Sequence, residues 1–160
     1  MLLRANGWRA IILDNMNIEF YSKFPQPEES FLLLMKKASK LFSPALSEVL
    51  DLEVYSHKLY TRASFIVCQH EDDIMAFTAF YQNEEAKQLY ITLICVDKSF
   101  QRQGLGYKML DSLMSLKADG FETIGLEVLK DNISAYNFYK RNGFMEQEDR
   151  GEKFLMVKNI

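Results

Sequence analysis

LYITLICV, residues 89–96, runs directly into DKSFQRQGLG, residues 97–106, and the junction of the two decides the fold. In an extended strand Leu89, Ile91, Leu93 and Cys95 share one face, and Tyr90, Thr92, Ile94 and Val96 share the other. Both sets are largely apolar, so this strand is expected at the centre of a sheet covered on both sides. From Gly104 the period changes. Leu105, Met109, Leu110, Leu113 and Leu116 fall within an arc of about 140° at 100° per residue, which is one buried face of a helix. Gly120 marks the end of that helix.

The segment between strand and helix has the properties of an anion site. A helix N-terminus leaves its first backbone N–H groups unpaired and carries roughly half a positive charge, so a phosphate satisfies both. Gly104 and Gly106 place no side chain between an oxygen and the backbone, and Arg102 and Lys108 add positive charge. Two familiar phosphate loops do not fit. The residues after Gly104 lack the Gly-Lys-Ser/Thr ending of a nucleotide-triphosphate loop, and Met109 stands where a dinucleotide fingerprint needs its third small residue. A tight turn opening a helix remains the plainer alternative.

Working outward, residues 16–24 alternate as a strand that Pro25 and Pro27 stop. A helix is expected from Glu28, broken near Ser43-Pro44, with a second helix over Ser47 to Tyr60. Ser64–Gln69 and Ile74–Tyr81 form a hairpin around His70-Glu71-Asp72-Asp73. On the other side, Phe121–Leu129 reads as a strand and Asn132–Arg141 as a helix closed by Asn142-Gly143. Two last strands follow from Phe144, around Arg150-Gly151. The order predicts an α/β (α+β) sheet with helices on its faces.

Composition sets the bounds. The 160 residues suit one domain over 1–160, with residues 1–15 a variable N-terminal extension. With 48% apolar and 26% charged residues, and only 7 Gly and 3 Pro, collagen-like and broadly disordered chains are excluded. Nineteen Lys and Arg against 22 Asp and Glu leave a net charge of −3, which disfavours a nucleic-acid partner. The longest aliphatic run, Phe31–Met35, is too short to cross a bilayer. Arg4 and Arg9 flank no cleavable leader, so no membrane and a cytoplasmic location are expected. Cys68 and Cys95 each sit inside an apolar run and read as reduced and buried. His57 and His70 are isolated, so no metal site is expected.

Three stretches together resemble the GNAT superfamily of acetyl-CoA-dependent N-acetyltransferases. Gln101-Arg102-Gln103-Gly104-Leu105-Gly106 looks like its pyrophosphate loop after a strand ending in Val96. Leu126-Glu127-Val128 is similar to its next strand. Asn132, Ala135, Phe138, Tyr139, Gly143 and Phe144 match a helix carrying tyrosine and closing with Gly-Phe. Lys98 departs from a common proline, and the N-terminal third carries no subfamily signature. The resemblance implies a mixed, mostly antiparallel sheet with helices on both faces.

It also implies direct transfer of acetyl from acetyl-CoA to a primary amine, on a small metabolite, an amino sugar or a peptide, in a ternary complex, without metal. Gln101, Arg102, Gln103, Gly104, Leu105 and Gly106 would bind pyrophosphate, and the backbones of Ile94 and Val96 would pair with the pantetheine arm like an added strand. Tyr139 would protonate the departing thiolate, a task that suits a phenol still protonated at neutral pH; the alternative is an aromatic packed on its helix. Asn132 would contact pantetheine or cap its helix. Glu127 would be the general base, its pKa raised by desolvation, or else an outward-facing or salt-bridged residue. Tyr136 and Cys95 read as packing. His57, Tyr60, Tyr81 and Tyr90 lie in the regions expected to build the pocket of the amine acceptor, and Glu71-Asp72-Asp73 and Glu84-Glu85 would suit a cationic amine or be solvated turns. The protein would act as a monomer or homodimer. The competing class is a silent acyl-CoA-binding or regulatory module of the same fold.

Overall fold

A computed structural model describes residues 15–160. The leader and extension readings, which concern the first 15 residues, fall almost wholly outside them. β1 (Asn17–Tyr21) leads to α1 (Glu28–Ser39), the short α2 (Leu46–Val49) and α3 (Leu52–Arg62). β2 (Ser64–His70), β3 (Asp73–Asn83) and β4 (Gln88–Val96) follow as a meander. Next come α4 (Leu105–Met114), β5 (Thr123–Leu129), α5 (Ile133–Arg141), β6 (Met145–Asp149) and β7 (Lys153–Asn159). The strands make one seven-stranded sheet in the order β1-β2-β3-β4-β5-β7-β6. Every neighbouring pair is antiparallel except β4 with β5.

The expected helical face of α4 is buried throughout: Leu105, Met109, Leu110 and Leu113 lie in the core, as does Leu116 in the 3₁₀ turn that follows. These side chains pack with Phe80, Ile124, Leu126 and Phe144 on one side of the sheet, and α5 joins them there. On the other side α1 and α3 pack Phe31, Met35 and Leu59 against Phe65, Phe77 and Leu93. Helices on both faces are thus observed. The helix expected over Ser47–Tyr60 is divided: Leu50 is extended, and the Asp51 carboxylate accepts from the Val54 N–H at 3.1 Å to begin α3 afresh.

The predicted face of β4 is corrected by its register. Ala79 pairs with Leu93 but Phe80 pairs with Ile91, so Thr92 is an extra residue, a β-bulge. Leu89 and Ile91 therefore join the α4 core, while Leu93 and Cys95 join the α1/α3 core. Cys68 lies in the first core and Cys95 in the second, both buried and unpaired.

The bulge coincides with an opening in the sheet. β4 pairs with β5 only from Gln88–Thr123 to Ile91–Leu126. Beyond that point Leu93–Val96 pair only with β3, and Glu127–Leu129 pair only with β7.

Candidate functional site

The loop after β4 is built by local hydrogen bonds. The Asp97 carboxylate accepts from the Ser99 N–H at 3.0 Å, its own N–H donates to the Met75 carbonyl at 2.8 Å, and Lys37 of α1 donates to it at 2.6 Å. The Lys37 ammonium holds the Asp97 carboxyl below the usual carboxylate range. Arg102 and Gly104 both have positive φ, +60° and +82°, which reverses the chain into α4. The Lys108 N–H is bonded to the Gly104 carbonyl at 3.0 Å, which closes the first turn of α4. The N–H groups ahead of it, on Leu105, Gly106 and Tyr107, are the ones a helix start leaves for an anion.

Several candidate residues take narrower parts than expected. The Gln101 side chain donates to the Val96 carbonyl at 3.1 Å and that of Gln103 to the Ser99 carbonyl at 3.2 Å, so both shape the loop. Leu105 is a core side chain that offers the site only its backbone. Arg102 is exposed and free to meet a phosphate. Access for phosphate does not explain Gly106, because a Cβ there would stand 3.1 Å from Cζ of Phe138; its small size serves helix packing. Asn132 caps α5, accepting from the Ala135 N–H at 3.2 Å.

Ile94 and Val96 lie on the part of β4 that β5 leaves unpaired, as the added-strand reading requires. Tyr139 packs on the α4/α5 core, as do Ile94 and Val96, with its ring edge-on to Phe138 and Phe144 at centroid distances of 5.3 and 5.6 Å. Burial, and secondarily the nearby Cys95 thiol, push its pKa up to about 12.

Glu127 is the first β5 residue beyond the last pair with β4, on the face opposite Leu126 and Val128. The expected desolvation is not found: Glu127 is exposed. Its Oε1 accepts from the Tyr90 hydroxyl at 2.8 Å and lies 3.5 Å from Nη1 of Arg150. Tyr90 has its pKa raised to about 12, by burial first and then by Glu127. The Tyr55 hydroxyl is bonded to Oγ1 of Thr92, the bulge residue, at 2.8 Å.

Other expected acceptor residues serve the scaffold. His57 meets Glu28 at 2.6 Å on the surface, and Tyr60 donates to the Gln26 carbonyl at 3.2 Å. Tyr81 packs on the α1/α3 core. Glu84 and Glu85 lie before the start of β4, at the end where β4 and β5 are still paired, and Glu71-Asp72-Asp73 is an exposed turn. Tyr136 bonds Glu146 and packs against Phe154. Burial pushes the Cys95 thiol up, which fits a core residue. Sequence reasoning passed over Tyr55, Thr92 and Arg150. The one available signal was Thr92, a hydroxyl within an otherwise apolar stretch. No group of three or more potential metal ligands, and no helix long and apolar enough to cross a membrane, occurs among the described residues.

The start of α4, with its first amides left over by the helix, thus follows the stretch of β4 that has parted from its parallel neighbour β5. The model of the acetyltransferase (GNAT) family matches residues 31–144, and the chain belongs to that family. A spermine/spermidine N(1)-acetyltransferase of Bacillus subtilis (strain 168) is 28% identical, the match covering 70% of this chain and 90% of the relative. Among solved structures, a Pyrococcus horikoshii OT3 protein superposes with a TM-score of 0.75 at 24% identity, covering 91% of this chain and 98% of that one. The PaiA N-acetyltransferase of Thermoplasma acidophilum, solved with coenzyme A, gives a TM-score of 0.68 at 16% identity over 90% and 99% of the two chains.

Proposed function

We propose that this protein acetylates a primary amine of a polyamine, with acetyl-CoA as donor, by direct transfer. The observation that carries the reading is the parting of β4 and β5 after Ile91 and Leu126, with the free amides of α4 beyond it and Tyr139 and Glu127 on opposite faces. The polyamine acceptor is supported by the Bacillus subtilis relative and by the carboxylate of Glu127 at the cleft.

The amides of Leu105, Gly106 and Tyr107 and the Arg102 guanidinium hold the pyrophosphate, while Ile94 and Val96 align the thioester through backbone pairing. Glu127 accepts the proton that the amine must shed, directly or through water, because only a neutral amine is a nucleophile. The amine nitrogen then bonds to the acetyl carbon, the carbon–sulfur bond breaks, Tyr139 gives its proton to the departing thiolate, and the second proton that the nitrogen sheds on becoming an amide passes through water to restore the Tyr139 phenol. A backbone N–H of β4 at the gap polarises the acetyl carbonyl.

The test is thiol release from acetyl-CoA across a panel of spermidine, spermine, monoamines and an amino sugar. Release that depends on a polyamine is the expected result. Stabilisation by acetyl-CoA with no amine-dependent release would instead identify a silent binding module.

A further inference from the structure

Arg150 occupies a position that the transfer reaction leaves unexplained. It projects from the turn between β6 and β7 into the space between two carboxylates from different strands. Its Nε and Nη2 bond Oε2 of Glu148 at 3.1 and 3.0 Å, a two-pronged contact within its own hairpin. Its Nη1 stands 3.5 Å from Oε1 of Glu127, a longer and single contact, on the oxygen that already accepts from Tyr90. The two contacts are unequal. The guanidinium can leave Glu127 while remaining seated on Glu148. Both partners of the weaker contact are open to water, with side-chain exposures of 38% for Arg150 and 31% for Glu127. Such an exposed pair is weak.

We propose that Arg150 is a resident cation in the place that an acceptor ammonium takes on Glu127, and so determines which amines enter. This rests on the reading of the cleft as a polyamine acetyltransferase site. An incoming ammonium displaces Nη1 and takes Glu127, where it can shed its proton. Arg150 withdraws to Glu148. An uncharged acceptor offers nothing in exchange for the lost pair and is disfavoured, whereas an ammonium replaces it. Arg150 acts on selection, and no bond is made or broken at it.

The experiment is calorimetric titration of spermidine into the full chain saturated with coenzyme A. Arg150→Gln should bind spermidine roughly two- to fivefold more tightly than the wild type, the gain expected from removing a weak, solvent-exposed competitor. Glu148→Gln should act in the opposite sense, because Arg150 without its outer anchor turns fully to Glu127 and spermidine binds more weakly. Arg150→Lys, which keeps a cation on the turn and is a second variant should Arg150→Gln not fold, should stay near the wild type. A purely structural Arg150 would weaken binding when replaced. Unchanged, weaker or undetectable spermidine binding in Arg150→Gln overturns the proposal. Thiol release measured alongside separates the two readings: tighter binding without amine-dependent release refutes the acetyltransferase assignment and leaves the competing cation in place.

Discussion

Gly106 and Phe138 face each other across the α4–α5 interface so closely that a Cβ on Gly106 would lie 3.1 Å from the tip of the ring, which would have to give by a few tenths of an ångström. The contact ties the helix that follows the Gln101–Gly104 loop to the helix that carries Tyr139. Gly106→Val therefore forces the ring aside, and overpacking of this kind costs about 1–3 kcal/mol. Denaturant unfolding should show that loss, and adding Phe138→Leu should recover part of it. A fully stable Gly106→Val protein would contradict the packing role.

Gly104 is constrained differently. Nothing lies within 4 Å of the Cβ it lacks, but its φ is +82°. Substitution by valine should cost about 1–2 kcal/mol through backbone conformation alone. The chain should still fold, while acetyl-CoA binding, read by calorimetry, should be lost because the amides that follow are re-aimed. Retained affinity would argue against the loop as the pyrophosphate site.

Tyr139→Phe should lower turnover with little change in acetyl-CoA affinity; unchanged turnover would remove Tyr139 from the reaction. Its phenol also shapes the alkaline limit of stability. The folded pKa of about 12 lies above the ordinary value of 10, so between those values the native state holds a proton that the unfolded chain has released. Stability is then unaffected below about pH 10 and falls from pH 10 to 12. Chemical unfolding at a series of alkaline pH values should show a shallower fall in Tyr139→Phe.

Asp97 links three segments: α1 through Lys37, β3 through the Met75 carbonyl and the loop through the Ser99 N–H. Asp97→Ala should cost about 1 kcal/mol for the lost cap and raise the KM for acetyl-CoA more than it changes kcat. Asp97→Asn should restore much of the KM, since its amide oxygen still accepts from Ser99. The carboxyl is held below its ordinary value of 3.8, so the contribution from Lys37 is present above that value and is lost as the pH falls below it. In Lys37→Met this acid loss should be smaller.

The periodic parts of the chain were legible because burial writes a period into sequence. The apolar arc of α4, the hairpin around residues 70–73 and the glycine-bearing loop all lie where their patterns put them. The turn that opens α4 was legible for a related reason, since the left-handed φ of +82° at Gly104 favours glycine. What escaped were relationships set by register and by long-range pairing. No periodicity announces that Thr92 is an extra residue, because the alternation continues unbroken through it. The partner of Glu127 is Arg150 on a distant turn, and the exposure of Glu127 follows from which strands fail to pair. Gln101 and Gln103 matched the expected loop by type, yet their side chains turn back onto the backbone that they stiffen.

The bulge at Thr92 has a consequence for how the cleft could be removed. With Thr92 present, Ile91 and Leu93 already point to opposite sides of the sheet, as adjacent residues of a regular strand do. Deleting Thr92 would leave every apolar side chain of β4 on the side it now occupies, while erasing the irregularity at which β5 departs and the hydroxyl that Tyr55 holds. One codon of length therefore separates a β4 that carries the bulge beside the opening from a regular strand with the same two-sided core.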